Sequence, residues 1–308
     1  MRYADILVTG GGGLVGTALE RVMPDAQYLR HYQCDLTDIK DVKYIYRFLK
    51  PKMIIHLAAK VGGMFDNINY PVEYLEDNIL MNTLMIRYAY EAKVERFLGM
   101  LSSCVFPEVV DTYPMKEEDI NKGAPPRTNL SYGMAKRIMA RQREAYNEQY
   151  KTKYSYITPC NIYGEEAVTD VTKSHFIAAL VKRIYDANNN GDKSIDVFGT
   201  GVAIRQFIYA RDVASIIKTI VDNDITESFN VAPPDSISIG EIVKIALSVT
   251  NSDHIAVKYD VSKPDGQLRK DISIDKFKRI MPDFKFTDVG EGILMAYNQY
   301  KTTQNAQV

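Results

Sequence analysis

The chain reads as an α/β protein: a Rossmann-type, doubly wound parallel sheet with a smaller α/β lobe beside it. The first observation is rhythm. Short apolar runs alternate with longer helical patterns through the first half, as crossover units do when they lay parallel strands into one sheet. The second is a glycine run, Gly10-Gly11-Gly12-Gly13, placed between an apolar run and a helical pattern. The third is length: 308 residues exceed what one hydrophobic core usually serves, so a second lobe is expected.

The first strand is expected at 4–9, centred on Ile6-Leu7-Val8 and ending at the glycines, with a helix over 14–22. The next strand region closes on Tyr28-Leu29-Arg30-His31. A helix over 41–49, a buried strand over 53–57 and a long helix over 71–92 follow. A strand over 97–101, a helix over 131–146 and a strand over 154–159 complete the alternation. Thr9, Ala58, Ser102 and Pro159 then mark strand ends at the crevice, where open α/β sheets bind ligands. After Gly164 the rhythm changes. A helix over 174–187, a loop at Asn188-Asn189-Asn190-Gly191-Asp192, short strands at 195–198 and 207–209, and a helix over 239–249 capped by Ser238 are expected. The polar residues from Thr302 onward are expected to fray. Residues 1–164 form the nucleotide-binding part in this reading and 165–308 mainly the smaller lobe, with the chain crossing back between them.

Composition excludes several classes. The chain is 46% hydrophobic and 25% charged with net charge −1, so nothing points to nucleic acid or a polybasic membrane patch. No apolar run reaches the ~18 residues of a membrane span. A strand begins almost at once, so no secretory signal is expected. Cys34, Cys104 and Cys160 are an odd number without metal-like spacing, which fits reduced thiols in the cytoplasm. The histidines (His31, His56, His175 and His254) do not cluster with cysteines or acids, so no metal is expected.

The glycine run is the expected dinucleotide site: glycines let the backbone approach a pyrophosphate, and the following helix N-terminus favours its charge. Two registers fit, Gly11/Gly13/Gly16 and Gly10/Gly13/Gly16. Gly10, Gly13, Leu14, Val15 and Gly16 are the candidates. Arg30 stands where an acid would suit a cofactor without a 2′-phosphate, so NADP(H) is favoured. Asp35 and Leu36 approach the adenine side, and the small Ala58 and Ala59 let the cofactor's middle pass. Tyr132 and Lys136 lie one helical turn apart on one face. A lysine ammonium there favours the phenolate and lowers a phenol's pKa from about 10. Ser102 could hold the same substrate oxygen. Cys104 follows two residues later, and an extended chain would point both side chains to one side.

These segments resemble the extended short-chain dehydrogenase/reductases, and within them the GDP-4-keto-6-deoxy-D-mannose 3,5-epimerase/4-reductases. The resemblance spans nearly the whole chain. It rests on His56-Leu57-Ala58-Ala59-Lys60-Val61-Gly62-Gly63, Ser102-Ser103-Cys104-Val105-Phe106-Pro107, and Tyr132 with Lys136. It continues through Pro159-Cys160-Asn161-Ile162-Tyr163-Gly164 and Ser174-His175. Gly199-Thr200-Gly201 before Arg205-Gln206-Phe207, and Lys263-Pro264-Asp265-Gly266 before Arg269-Lys270, complete it.

The resemblance implies Ser102, Tyr132 and Lys136 as the reductase centre, Cys104 as epimerase base and His175 as epimerase acid. It implies that Pro159, Asn161 and His175 touch the cofactor. It implies Val61, Ser103, Asn161, Arg183, Arg205 and Lys270 around the GDP-sugar, and a homodimer through the long helix and the Tyr132 helix. Read alone, Cys104 fits a small buried apolar residue, and His175 fits a hydrogen-bonding residue at a helix start. The chemistry agrees with the family roles. A 4-keto group acidifies C3–H and C5–H, Ser102 and Tyr132 can steady the enolate oxygen, and inversion needs one group to take a proton and another to return it. One segment departs from the family pattern: Gly164 is followed by Glu165-Glu166-Ala167-Val168-Thr169-Asp170-Val171 where the family has Pro-His-Asp-Asn-Phe. Two carboxylates beside the sugar would suit a GDP-4-keto-heptose, or a C4-reductase without epimerase activity. Other readings are a sugar-nucleotide 4-epimerase or 4,6-dehydratase with tight NAD, opposed by Arg30, and a cofactor-sensing protein, opposed by the intact Ser102, Tyr132 and Lys136.

Overall fold

The computed structural model describes residues 1–167 and 175–306. Its first half alternates as expected: β1 (Ile6–Thr9), α1 (Leu14–Val22), β2 (Gln27–Leu29), α2 (Ile39–Leu49), β3 (Met53–His56), α3 (Met64–Asn69), α4 (Pro71–Glu91), β4 (Arg96–Met100), α5 (Leu130–Tyr150) and β5 (Lys153–Pro159). The second half holds β6 (Asn161–Tyr163), α6 (Phe176–Asn190), β7 (Ser194–Phe198), β8 (Ile204–Arg205), β9 (Phe207–Tyr209), α7 (Ala210–Asp222) and β10 (Phe229–Val231). It ends with β11 (Ile237–Ser238), α8 (Ile239–Val249), β12 (Ala256–Asp260), β13 (Arg269–Lys270), α9 (Asp275–Ile280) and α10 (Val289–Asn305).

Six strands form the main sheet in the order β10-β5-β4-β3-β1-β2, every neighbouring pair parallel. Ile6-Leu7-Val8 and Met53-Ile54-Ile55 are fully buried because helices cover both faces. The register sets Thr9 against His56 and His56 against Gly99. The carboxyl ends of the strands therefore share one edge, and the loops after them form the crevice. The second half packs a separate apolar cluster, built from α6, α8, α10 and their small strands. β10 nevertheless returns to the main sheet beside β5, and α7 lies on α1.

Several expected boundaries move. α5 continues to Tyr150, where Lys151 turns left-handed at φ 56°. The asparagines expected in a loop belong to α6, which ends at Gly191 with φ 72°. Asn188 is held by tertiary bonds, its amide donating to Ser252 Oγ at 2.8 Å and to Tyr297 Oη at 3.2 Å. α10 stays helical past Thr302, through Asn305. Residues 168–174, Ser174 among them, lie outside the described residues.

Candidate active site

The loop after β1 has the shape of a phosphate cradle. Gly10 has φ 72°, and a β-carbon there would lie 2.7 Å from the Ala58 nitrogen; one on Gly16 would collide with the Gly10 carbonyl. Gly10 is the one glycine of the run in a left-handed conformation, which favours the register Gly10/Gly13/Gly16, with Gly13 capping α1. Leu14 is half-buried and Val15 buried. Arg30 flanks the loop beside Gly12 and pairs with Glu20 at 2.8 Å. Asp35 is exposed and accepts the Thr37 N–H and hydroxyl. Leu36 is buried in the core.

Behind the loop, burial and then the Lys136 charge pull the His56 imidazole down to about 3, against its hydrogen bond to Asn82 Oδ1. The ring is therefore neutral, with one donor and one acceptor nitrogen. Nδ1 lies 2.8 Å from Thr9 Oγ1 and Nε2 lies 3.1 Å from Asn82 Oδ1. Thr9 Oγ1 accepts the Ala58 N–H at 3.3 Å. Two strand ends and the small-residue turn at Ala58-Ala59 are tied together by this chain. His56 and Asn82 carried no expectation, although a histidine inside an otherwise apolar strand was a readable signal.

Tyr132 and Lys136 share a face of α5, with Lys136 Nζ 5.9 Å from the phenol ring centroid. The expected phenolate is not what the structure supports. Burial, and then Cys104, hold the Tyr132 hydroxyl well above its usual range, with Ser102 opposing. Lys136 is fully buried, donates to the Met100 carbonyl at 2.8 Å, and is itself pulled down to about 8 by burial. For Tyr132, burial is the largest influence on the hydroxyl. Tyr132 is a neutral phenol, which is the proton-donating form.

The Ser102–Cys104 expectation is also corrected. Ser103–Val105 is a 3₁₀ turn, and Ser102 Oγ accepts the Cys104 N–H at 3.2 Å, so the two side chains do not alternate along an extended strand. Ser103 is buried within the turn. The half-buried Cys104 thiol instead meets the second half of the chain, where Lys270 Nζ donates to its Sγ at 3.2 Å. Lys270 is only 8% exposed. Arg205 lies close enough to interact with Cys104 and bonds the Ile204 carbonyl at 2.8 Å. His175 is the N-cap residue of α6 without a capping side-chain bond. The residue is solvent-exposed there and lies near enough to Lys270 to feel its charge. Cys104, Arg205, Lys270 and His175 thus gather beside Ser102 and Tyr132.

Other expected residues are placed differently. Asn161 donates to the Gln206 carbonyl at 2.8 Å, and Pro159 is buried at the end of β5. Arg183 donates to the Asp196 carbonyl at 2.7 Å and lies over the Phe198 ring at 4.7 Å, at the α6–β7 side. Val61 is exposed on the loop after β3. The two carboxylates expected beside the sugar go to ion pairs: Glu165 with Arg211 and Arg21, and Glu166 with Arg21 at 3.0 Å. A missed residue is Gln206, buried between Arg205 and Phe207. Its amide accepts the Ile272 N–H at 2.9 Å and donates to the Pro233 carbonyl at 3.0 Å, fixing the strands that present Arg205 and Lys270. An amide between a cation and an aromatic in a short strand was its only sequence signal.

The sequence profile of the NAD dependent epimerase/dehydratase family matches residues 6–232. The chain is 34% identical to GDP-L-fucose synthase of Dictyostelium discoideum, over 94% of this chain and 92% of that protein. It is 32% identical to GDP-L-colitose synthase of Yersinia pseudotuberculosis, over 86% and 88%. Among solved structures it is similar to a GDP-L-fucose synthetase from Naegleria fowleri bound to NADP, at 30% identity and TM-score 0.89, covering 97% of this chain and 93% of that chain.

Proposed function

Because the chain belongs to the NAD dependent epimerase/dehydratase family, we propose that it epimerises GDP-4-keto-6-deoxy-D-mannose at C3 and C5 and reduces it at C4 with NADPH, giving GDP-L-fucose. The observation that carries this reading is the 3.2 Å contact of Lys270 with Cys104. It joins a thiol and a cation from segments 166 residues apart, with Arg205 and His175 nearby, which supports a site beside Tyr132. The names of the Dictyostelium and Naegleria proteins support the same substrate class and cofactor.

The residues fit the cofactor: a cradle closed to β-carbons at Gly10 and Gly16, a helix N-terminus facing it, and an arginine at its flank. When bound, NADPH supplies the hydride for C4. Tyr132 gives its phenolic proton to the C4 oxygen while Ser102 orients that oxygen. Lys136 keeps a positive charge beneath the phenol. Cys104 takes the proton from C3 or C5, and His175 returns one from the other face. Arg205 and Lys270 offset the charge of the diphosphate and enolate, with Asn161 and Arg183 farther along the sugar nucleotide. Incubation with GDP-4-keto-6-deoxy-D-mannose and NADPH, followed by NMR of the product, tests the reading. GDP-L-fucose is expected; a C4-reduced, unepimerised sugar would leave only a reductase.

Arg30→Ala is expected to weaken NADPH about tenfold while leaving NADH nearly unchanged, because a charge-assisted bond to a 2′-phosphate is worth about 1.5 kcal/mol or more. The half-exposed Glu20 pair costs little to give up. Fluorescence titration with both nucleotides decides it, and equal effects would leave Arg30 as the partner of Glu20 alone.

The reading includes residues 1–164 as the NADP-binding part and 165–308 as mainly the substrate lobe, supported by the separate apolar cluster of α6, α8 and α10. It includes a homodimer through α4 and α5, supported by exposed Leu80, Leu130, Met134 and the stacked Tyr90 and Tyr150 on those helices. Tyr74 and Tyr88 of α4 are buried and serve packing. A cytoplasmic location is supported by the free thiols of Cys34, Cys104 and Cys160.

A further inference from the structure

Beside the groups already assigned, α3 and α4 carry a buried polar cluster that converges on one loop, Lys60 to Gly63. Tyr74 on α4 is 1% exposed, and its hydroxyl donates to Asp66 Oδ2 on α3 at 2.5 Å. That hydroxyl rests directly on Gly62: a β-carbon on Gly62 would collide with it and lie 2.9 Å from Asp66 Oδ2. The buried Asn67 amide donates to the Gly62 and Gly63 carbonyls, at 3.2 Å and 3.0 Å. One turn beyond Tyr74, Asn78 accepts the Lys60 N–H at 3.0 Å and returns a bond to its carbonyl at 3.1 Å. Backbone groups of a loop are thus satisfied by side chains, which is what holds an irregular segment in one shape.

The loop sits where a small displacement matters. It leaves the carboxyl end of β3 at the crevice edge, and Val61 is 55% exposed there. α3, which follows it, packs on the 3₁₀ turn Arg127–Asn129 that leads into α5 and Tyr132. Phe65 of α3 meets Phe198 of β7 edge-on at 6.2 Å, so the loop lies between the two halves of the chain.

We propose that Tyr74, with Asp66 and Asn67, is a positioning clamp that sets Val61-Gly62-Gly63 against the sugar of the nucleotide substrate. Tyr74 does not touch the reacting atoms; it acts through the loop, and the proposal rests on the GDP-4-keto-sugar reading above. The clamp holds ground state and transition state alike, so its loss falls on KM and spares kcat.

The test is a coupled pair of substitutions measured with GDP-4-keto-6-deoxy-D-mannose and NADPH. Tyr74→Phe deletes one oxygen and keeps the ring. It is expected to raise the KM for the sugar nucleotide about 5–10-fold with kcat within about twofold, the size of one lost hydrogen bond. Asp66→Asn keeps the acceptor and is expected to change KM less than Tyr74→Phe. Gly62→Ala drives a methyl group into the Tyr74 hydroxyl and is expected to raise KM more than about tenfold, since small misplacements at a site are costly. Gly62→Ala combined with Tyr74→Phe removes the worst clash but leaves Asp66 Oδ2 2.9 Å from the added methyl, so its KM should fall from that of Gly62→Ala toward that of Tyr74→Phe. An unchanged KM in Tyr74→Phe overturns the clamp, even if the melting temperature falls. So does a Gly62→Ala penalty that is the same with and without the hydroxyl. Absence of turnover in the unaltered enzyme would instead defeat the proposed function and this role with it, whereas normal turnover with no KM effect defeats the clamp alone.

Discussion

Tyr132→Phe should cut the reduction of C4 about 10²–10⁴-fold, the contribution of a positioned general acid, while NADPH affinity stays within about twofold. The variant keeps the ring and its packing and removes only the hydroxyl. The expectation follows from the state of that hydroxyl. Burial holds it as a neutral phenol, with Cys104 adding to the effect and Ser102 opposing it. Lys136, which would favour the phenolate, is engaged by the Met100 carbonyl at 2.8 Å. A neutral phenol has its proton ready for the C4 oxygen when hydride arrives. The loss should therefore appear in the single-turnover rate of NADPH oxidation and not in cofactor binding. Near-normal single-turnover reduction in Tyr132→Phe would remove Tyr132 from the proton-donating role, and the α5 pair would be a packing feature.

Much of the scaffold around this centre was legible in the residues, for a physical reason. Short apolar runs such as Ile6-Leu7-Val8 and Met53-Ile54-Ile55 alternate with helical patterns, which predicts crossover units and a parallel sheet, and both runs are buried in it. The spacing of Tyr132 and Lys136 is likewise local to one helix. What stayed hidden depends on groups far apart in the chain. β10 is only three residues long and gains its strand character from β5. Asn188 looked like loop because its partners, Ser252 and Tyr297, belong to other elements. The Lys270–Cys104 contact joins positions 166 residues apart, and no spacing rule reaches that far.

The errors share a cause as well. The pattern Tyr-x-x-x-Lys suggests a charge effect on the phenol, yet desolvation of the buried hydroxyl is the larger influence. Ser102 and Cys104 suggest alternation, yet the Ser102 hydroxyl captures the Cys104 N–H and winds the chain into a turn. Glu165 and Glu166 suggest a polar rim for the sugar, yet Arg21 and Arg211 claim both carboxylates. In each case the residue types were read correctly, and burial, a local side-chain-to-backbone bond or a partner from another element decided their role.

Cys104→Ser is expected to reduce solvent deuterium uptake at C3 and C5 of the keto sugar about 10²–10⁴-fold, because in the proposed mechanism Cys104 is the group that takes the carbon-bound proton. Serine preserves the volume and the backbone turn, so Ser102 should still cap Cys104's position and Tyr132 should still donate. Slow NADPH oxidation with an unepimerised C4-reduced product should survive, which separates the two half-reactions on one protein. His175 supplies the complementary result. It lies at the start of α6 without a capping bond, near Lys270, on the side of the crevice contributed by the second half of the chain. His175→Asn should still allow the first proton to leave and return to its original face, so exchange persists while inversion slows. Deuterium measured by NMR in substrate and product reads both variants in one experiment. If the unaltered enzyme reduced its substrate in deuterated water with no deuterium on carbon, Cys104 and His175 would lose their roles. The Lys270–Cys104 contact would then be a structural bond in a C4-reductase.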